Sequence, residues 1–327
     1  MKKITGIFAL ACVFAGCSGA KGHQSEGSPE SEPAAKVRFE ADADTLFRYV
    51  SDQVELGARV PGSDAHRRCG DMIVERLGRY GIDSVAVQEV PVTTFDGVRH
   101  SARNILGCIN PGATQRVLLL AHYDTRPWAD SDPAAEERSR PVPGANDGAS
   151  GVAVLLEAAR LLGRALPDSL GVDLLFTDME DSGTSDGPES ESSWCLGTQE
   201  WVKQMPYTAA NRPRYGILLD MVGGQGAVFH REYFSNQLAP GIVDRVWAVA
   251  RESGYGDRFV NSTGGAVVDD HLFVNRAGIP CIDIIESVHP HTGSFNPSWH
   301  TVSDNIGAID RATLKAATQV VLNTITG

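Results

Sequence analysis

The body of the chain alternates between helix-like and strand-like patterns of hydrophobic residues. After Ser63 and again after Gly148, apolar side chains recur at the spacing of an amphipathic helix. Between such segments lie short continuous apolar runs bounded by turn residues, the pattern of buried strands. The predicted helices are residues 63–81, 148–162, 242–250 and 313–325, and the predicted strands are residues 117–121, 172–176, 215–219 and 279–285. This order predicts a three-layer α/β/α fold whose central sheet is mixed but largely parallel.

The first residues of the chain have the pattern of a processing signal. A positively charged start is followed by an apolar run, residues 4–14, that is too short to span a bilayer. The small residues before Cys17 resemble the lipobox of bacterial lipoproteins, which implies a signal peptide of residues 1–16 and a lipid attached to Cys17. An ordinary secretory signal with an incidental cysteine is the alternative. The lipobox interpretation places the protein in the bacterial cell envelope, lipid-anchored, with its folded part in the periplasm.

Composition distinguishes a tether from a folded domain and limits the classes of binding partner. Residues 17–37 are rich in Ser, Glu, Gly and Pro and are predicted to be a flexible tether, which leaves residues 38–327 as a single α/β domain. The chain has 29 Lys and Arg against 41 Asp and Glu, a net charge of −12. This acidic excess argues against nucleic-acid binding, which needs clustered basic residues. The candidates for disulfides in an oxidising compartment, with their pairing open, are Cys69, Cys108, Cys195 and Cys281.

Acidic and histidine side chains gather directly after predicted strands or before a predicted helix. In open α/β sheets, ligands bind at the edge where the carboxyl ends of the strands meet. A lone Asp at such a place is usually a helix cap or a turn residue, and Asp124 and Asp178 fit that role. Carboxylates concentrated in one crevice repel one another unless a cation lies among them. The groups are His122 and Asp124, Asn146 and Asp147, Asp178 with Glu180 and Asp181, Asp220, residues 269–271, and Trp299 with His300.

The adjacent pair Glu180 and Asp181 is the most informative of these groups. Histidine together with carboxylates is a ligand set of catalytic zinc sites, whereas oxygen ligands alone would indicate calcium or magnesium. In an adjacent pair, one carboxylate is able to bind the metal while its neighbour carries protons. The competing interpretation is that residues 178–181 only begin an acidic surface loop. Asp147 and His300 argue against it, because they supply further ligands of the same kind.

The order of the motifs resembles the zinc-dependent exopeptidase clan over residues 40–327. The motifs are HYD, PGANDGASG, the acidic pair, LLDM, a DH turn and WHT. Within the clan, aminopeptidases bind two zinc ions and glutaminyl cyclases bind one, and the ligand inventory fits both branches. The flanking residues resemble those of bacterial glutaminyl cyclases: AHYDTRP, Asp269 before Asp270, Trp299 before His300, WCLG, and Asp181 where the animal enzymes carry Glu.

The resemblance implies a reaction and a role for each site residue. The reaction converts N-terminal Gln of peptides or proteins to pyroglutamate with release of ammonia. The chain is expected to be a monomer and to meet the membrane only through the lipid at Cys17. In the alternative, a dinuclear zinc aminopeptidase, His122 and Asp220 bind a second ion; otherwise His122 is a hydrogen-bonded group beside the site. Gly148 and Val268 stand where the animal enzymes have polar side chains. The implied ligands of a single zinc ion are Asp147, Asp181 and His300, with Glu180 as general acid/base, Asp220 and Asp269 as its hydrogen-bonded relay, and Trp299 and Trp194 in the substrate pocket.

Overall fold

The structure, a computed structural model, describes residues 38–327 of the chain. The expected signal peptide of residues 1–16, the lipid attachment at Cys17 and the tether of residues 17–37 lie outside the described residues and remain predictions. Across the described part, no helix combines the length and the apolar character that crossing a membrane requires.

In residues 38–327, eight strands form one large sheet and one small one. They are β1 (Ser84–Thr93), β2 (Arg99–Ile109), β3 (Gln115–His122), β4 (Leu170–Thr177), β5 (Tyr215–Leu219), β6 (Phe229–Arg231), β7 (Phe259–Thr263) and β8 (Cys281–Ile284). The large sheet has the order β1-β2-β4-β3-β5-β8, and β6 pairs with β7. β1, β2 and β4 pair antiparallel, whereas β4, β3, β5 and β8 pair in parallel. The prediction of a mixed, largely parallel sheet is therefore confirmed.

The described part of the chain also contains eight α-helices. They are α1 (Ala43–Val54), α2 (Asp64–Tyr80), α3 (Ala149–Leu162), α4 (Leu196–Trp201), α5 (Tyr233–Leu238), α6 (Pro240–Glu252), α7 (Asp270–Arg276) and α8 (Arg311–Thr326). The four predicted helices correspond to α2, α3, α6 and α8. Ser63 caps α2, because its side chain accepts the N–H of His66, and Gly81 ends that helix in the left-handed region with φ +72°.

The sheet buries both of its faces, as its continuous apolar strands predict. Side chains alternate along β3, so that Leu119 and Ala121 pack into a core with α1, α3, α6 and α8, while Leu118 and Leu120 face the opposite side. On that opposite side, the cover includes Trp201 of α4 and residues of α7. Two helical layers thus enclose the sheet and leave the carboxyl ends of its parallel strands for the polar side chains.

Several elements were not predicted from the sequence. These are β1 and β2, the small β6–β7 sheet, and the helices α1, α4, α5 and α7. The proposed disulfides are also not formed, because all four cysteines of the described residues are free thiols. Three of them are buried and lie in packed surroundings, which suits a small apolar side chain.

Candidate metal centre

The polar side chains predicted to share one crevice do meet at the carboxyl ends of the parallel strands. His122 ends β3, Glu180 and Asp181 follow β4, and Asp220 follows β5. Glu180, Asp181 and Asp220 border a cavity of about 420 Å³. Its further lining residues include Asp147, Asp269, Trp194, Trp299 and His300. The structure therefore brings together every site residue proposed above except Cys17, which lies outside the described part.

Asp147, Asp181 and His300 form a group whose ligand atoms all lie within 4.8 Å of one another. His300 Nε2 is 3.2 Å from Asp181 Oδ1 and 3.8 Å from Asp147 Oδ2. Both oxygens of Asp181 are buried without a hydrogen-bond partner among the described residues. Unpaired buried carboxylate oxygens are costly, and a shared cation removes that cost. One imidazole and two carboxylates facing an open cavity are a ligand set that suits catalytic zinc.

A second group shares Asp147 with the first. His122 Nε2 lies 3.1 Å from Asp147 Oδ1 and 3.2 Å from Asp220 Oδ1. These three side chains also place their ligand atoms within 4.8 Å of one another. His122 is thus part of the same buried cluster, and its geometry is compatible with a hydrogen-bonding role and with a ligand role.

Glu180 lies beside these groups in an acidic, buried environment. Burial raises the pKa of Glu180 well above its ordinary value, and the nearby charge of Asp269 raises it further. Burial and the charge of Asp220 act in the same way on the pKa of Asp269. Burial also raises the pKa of Asp220 to about 6. These raised pKa values reflect the cost of burying several negative charges near one another. A bound dication would lower that cost and favour the charged carboxylates.

Glu180 and its two expected relay residues, Asp220 and Asp269, make their hydrogen bonds to other groups. Within residues 38–327, no hydrogen bond joins Glu180, Asp220 and Asp269. Asp220 instead contacts His122, and the thiol of Cys195 lies between the carboxylates of Glu180 and Asp269. Asp269 also caps α7, because its side chain accepts the N–H of Asp270 at 2.6 Å. The relay assigned by resemblance therefore remains a prediction.

Further carboxylates fix the backbone that carries the ligands. Asp124 accepts the N–H groups of Glu180 and Asp181, both at 3.1 Å. Asp304 accepts the N–H groups of Asn146 and Asp147 at 2.8 and 3.0 Å. Burial raises the pKa of Asp304 to about 7. Each of these two side chains orders a ligand-bearing turn from a distant part of the chain, and Asp124 caps none of the described helices.

Gly148 allows this crowding at the start of α3. Its φ of +91° lies in the region that glycine adopts readily, and a Cβ there would lie 2.9 Å from the carbonyl oxygen of Asp124 and 3.1 Å from the His122 ring. A side chain at this position would clash with the Asp124 backbone and crowd the His122 ring. The absence of a polar side chain at Gly148 therefore has a steric explanation.

Sequence reasoning missed the residues that orient His300. Its Nδ1 lies 3.3 Å from Asp130 Oδ1, and Asp130 also accepts hydrogen bonds from Arg126. Arg126 donates in addition to the carbonyl oxygens of Asp181 and Gly183 at 3.3 and 3.2 Å. These residues lie in the long loop after β3, whose composition carries no sign of such contacts. The loop is therefore anchored to the candidate ligands.

The two tryptophans flank His300 from different segments. The ring centroid of Trp194 lies 6.2 Å from that of His300 at an angle of 23°, and the Trp299 ring stacks on the same imidazole at 3.6 Å. Both line the cavity. Trp194 also packs on Gly183, where a Cβ would lie 2.3 Å from the indole. Their aromatic faces thus form walls of the cavity beside the candidate metal ligands.

Comparisons with known proteins agree with this geometry. The family model described as peptidase family M28 matches residues 104–325. A glutaminyl cyclase of Bacteroides thetaiotaomicron, solved with N-acetylhistamine, superimposes with a TM-score of 0.85 at 44% identity, covering 89% of this chain and 99% of that one. A protein of the same organism described as a leucine aminopeptidase precursor has a TM-score of 0.84 and 43% identity, over 90% of this chain and 99% of that one.

Sequence relatives extend to animals. The glutaminyl-peptide cyclotransferase of Bos taurus is 26% identical over 281 residues, which cover 78% of this chain and 74% of the bovine protein. The expected membership of the zinc exopeptidase clan is confirmed by the family match. The chain therefore belongs to peptidase family M28 and has bacterial glutaminyl cyclases among its structural relatives.

Proposed function

We propose that this chain is a glutaminyl-peptide cyclotransferase that converts the N-terminal Gln of peptides or proteins to pyroglutamate. The observation that carries the proposal is a buried, protonatable Glu180 beside the group Asp147, Asp181 and His300 in one cavity. The likeness to a bacterial glutaminyl cyclase over nearly its whole length supports the same assignment.

In this reaction the α-amine of Gln attacks its own γ-carbonyl carbon. A ring C–N bond forms, the bond to the amide nitrogen breaks, and ammonia leaves. Glu180 accepts the proton released by the attacking amine and returns it to the departing nitrogen. A carboxyl whose pKa is raised toward neutrality suits both steps, and burial beside Asp269 provides that shift.

Asp147, Asp181 and His300 would hold one zinc ion next to Glu180. When bound, the ion supplies Lewis-acid polarisation of the γ-carbonyl oxygen. Trp194 and Trp299 border the cavity and restrict how the Gln side chain folds. Because nucleophile and electrophile belong to one residue, a wall that holds the folded rotamer contributes effective concentration directly.

A dinuclear aminopeptidase is the second candidate. The group His122, Asp147 and Asp220 favours it, since this group is also compact enough to bind an ion. The structural relative described as a leucine aminopeptidase precursor points the same way. In the cyclase, His122 instead remains hydrogen-bonded to Asp220, and no second ion is required because no water has to be ionised.

The two candidates differ in product and in metal content. We would incubate the purified protein with a Gln-initiated and a Leu-initiated peptide and measure ammonia, free amino acid and zinc per chain. The proposal predicts ammonia, a blocked N-terminus and one zinc ion, without free Leu. Free Leu together with two zinc ions per chain would establish the aminopeptidase and reject the cyclase.

The role of Glu180 is tested by Glu180→Gln. Because Glu180 is not among the three proposed ligands, zinc content should remain unchanged while turnover falls by roughly 100- to 10,000-fold. Glu200→Gln is the matched control. Glu200 lies on α4, pairs with Lys203 and does not line the cavity. Retained turnover in Glu180→Gln would remove Glu180 from the mechanism.

A further inference from the structure

Cys195 has a backbone conformation that its residue type does not favour. It precedes α4 with φ +57° and ψ +35°, in the left-handed region, and its side chain is fully buried. Glycine enters this region without steric cost, whereas residues with a Cβ are disfavoured there. Such conformations persist where surrounding contacts impose them, so the contacts of Cys195 need an explanation.

The backbone of Cys195 is bonded to the segment that carries the proposed general acid/base. Its N–H donates to the carbonyl oxygen of Glu180 at 3.0 Å. The next two N–H groups, of Leu196 and Gly197, continue this ladder along the residues before Glu180 at 2.9 and 3.1 Å. These three bonds hold the left-handed turn against Glu180 and fix where the Cys195 side chain points.

The thiol points into the gap between two carboxylates. Its Sγ lies 3.4 Å from Glu180 Oε1 and 4.0 Å from Asp269 Oδ1. Burial raises the pKa of the Cys195 thiol well above its ordinary value, and the carboxylates raise it further. The group is therefore an S–H with one proton to donate, and the nearer acceptor is Glu180. The backbone N–H and the side chain of Cys195 thus both contact Glu180.

We propose that Cys195 is a positioning residue for Glu180. Its S–H donates to Oε1 and holds the carboxylate in one rotamer, so that Oε2, which lies 4.0 Å from His122 Nδ1, is the oxygen left to exchange protons. The neutral thiol also separates the mutually repelling carboxylates of Glu180 and Asp269. This inference rests on the proposed function only in taking Glu180 as the proton carrier.

A donor role and a packing role make different predictions for substitutions. If the thiol only fills space, alanine and serine should have similar effects, because both side chains are smaller than the thiol that they replace. If the thiol donates to Glu180, serine should retain function, because its O–H is the stronger donor, and alanine should not. The relative kcat values of the alanine and serine variants therefore decide between the two roles.

The experiment compares Cys195→Ala and Cys195→Ser with the same two changes at Cys281, a buried thiol of β8. Turnover and KM for a Gln-initiated peptide are measured together with zinc content. We expect kcat to fall about tenfold in Cys195→Ala with KM and zinc unchanged, and to remain within about twofold of the parent in Cys195→Ser. The Cys281 variants should leave kcat unchanged.

Parent-like kcat in Cys195→Ala, or an equal loss in both Cys195 variants, would overturn the proposal. Cys195→Gly also lacks the donor and suits the left-handed backbone, so it replaces the alanine variant if that variant does not fold. The unsubstituted protein tests the proposed function separately from the proposed role of Cys195. If it releases Leu rather than ammonia, the proposed function fails, and the same order of variants, read as Leu release, still tests the positioning of Glu180.

Discussion

Removing Asp130 should weaken zinc binding although Asp130 is not a proposed ligand. Its carboxylate lies 3.3 Å from His300 Nδ1 and is itself held by Arg126. Burial alone would raise the pKa of Asp130, but the hydrogen bonds with His300 and Arg126 outweigh it and lower the pKa. The charged carboxylate thus keeps the proton of His300 on Nδ1 and leaves Nε2 free for the metal.

The size of the effect follows from the exposure of Asp130. Loss of such an orienting partner typically weakens metal binding by about 10- to 100-fold. The Asp130 side chain is 43% exposed, so solvent screens its charge and we expect the lower end, about tenfold or ~1.4 kcal/mol, for Asp130→Ala. Asp130→Asn should lose less, because an amide oxygen still accepts the N–H of His300.

Competition with a zinc chelator measures this affinity without reference to activity. Glu137→Ala is the matched control, since it removes the same charge from the same loop and its partner is Arg140 rather than a candidate ligand. Equal zinc affinities of Asp130→Ala and Glu137→Ala would refute the reasoning and leave Asp130 with a surface role only.

Two further predictions concern the cavity wall and the acidic cluster. Gly183→Ala places a Cβ 2.3 Å from the Trp194 indole, so the ring must move; we expect KM for Gln peptides to rise at least about threefold with zinc affinity unchanged, and an unchanged KM would remove Trp194 from the substrate wall. Chelated protein should lose thermal stability as pH rises from about 4 to 8, as measured by the unfolding temperature. In the folded protein, the pKa values of Asp220 and Asp304 are raised to about 6 and about 7, above that of an unfolded Asp. Their protonated forms therefore stabilise the fold at low pH, and this contribution is lost as pH rises through these values. Zinc should reduce this loss, and equal slopes with and without zinc would contradict the argument.

The parallel part of the fold was readable from sequence because burial on both faces leaves continuous apolar runs. β3 and β5 are buried along almost their entire length. β1 forms the edge of the sheet, and most of its residues are exposed or half-buried, so no apolar run marks it. β6 has only three residues, too few for a periodic pattern. Helices α4 and α7 have only six and seven residues, and tertiary contacts fix them rather than an amphipathic repeat of their own.

Within the site, residue type and place after a strand or before a helix marked the acidic and histidine groups, whereas the set of three ligands came from the family resemblance. His300 neither follows a strand nor opens a helix, and it reaches the cluster from a turn with φ +54°. The contacts of Asp130 and Cys195 left no sequence signal, because each depends on how an irregular loop folds back onto the site. Cys195 was considered as a disulfide partner, whereas the structure places its thiol against Glu180.

The proposed ligand shell alone does not select between cyclisation and hydrolysis, because His122, Asp147 and Asp220 form a second compact group beside the first. The cavity wall makes the difference in our proposal. Phe295 and Trp299 pack on an apolar cluster and line the same cavity as the acidic groups. Aromatic walls of this kind restrict the rotamers of the Gln side chain and so promote attack by the substrate's own amine. We therefore expect the choice of reaction to follow substitutions in this wall more closely than the number of metal ions bound.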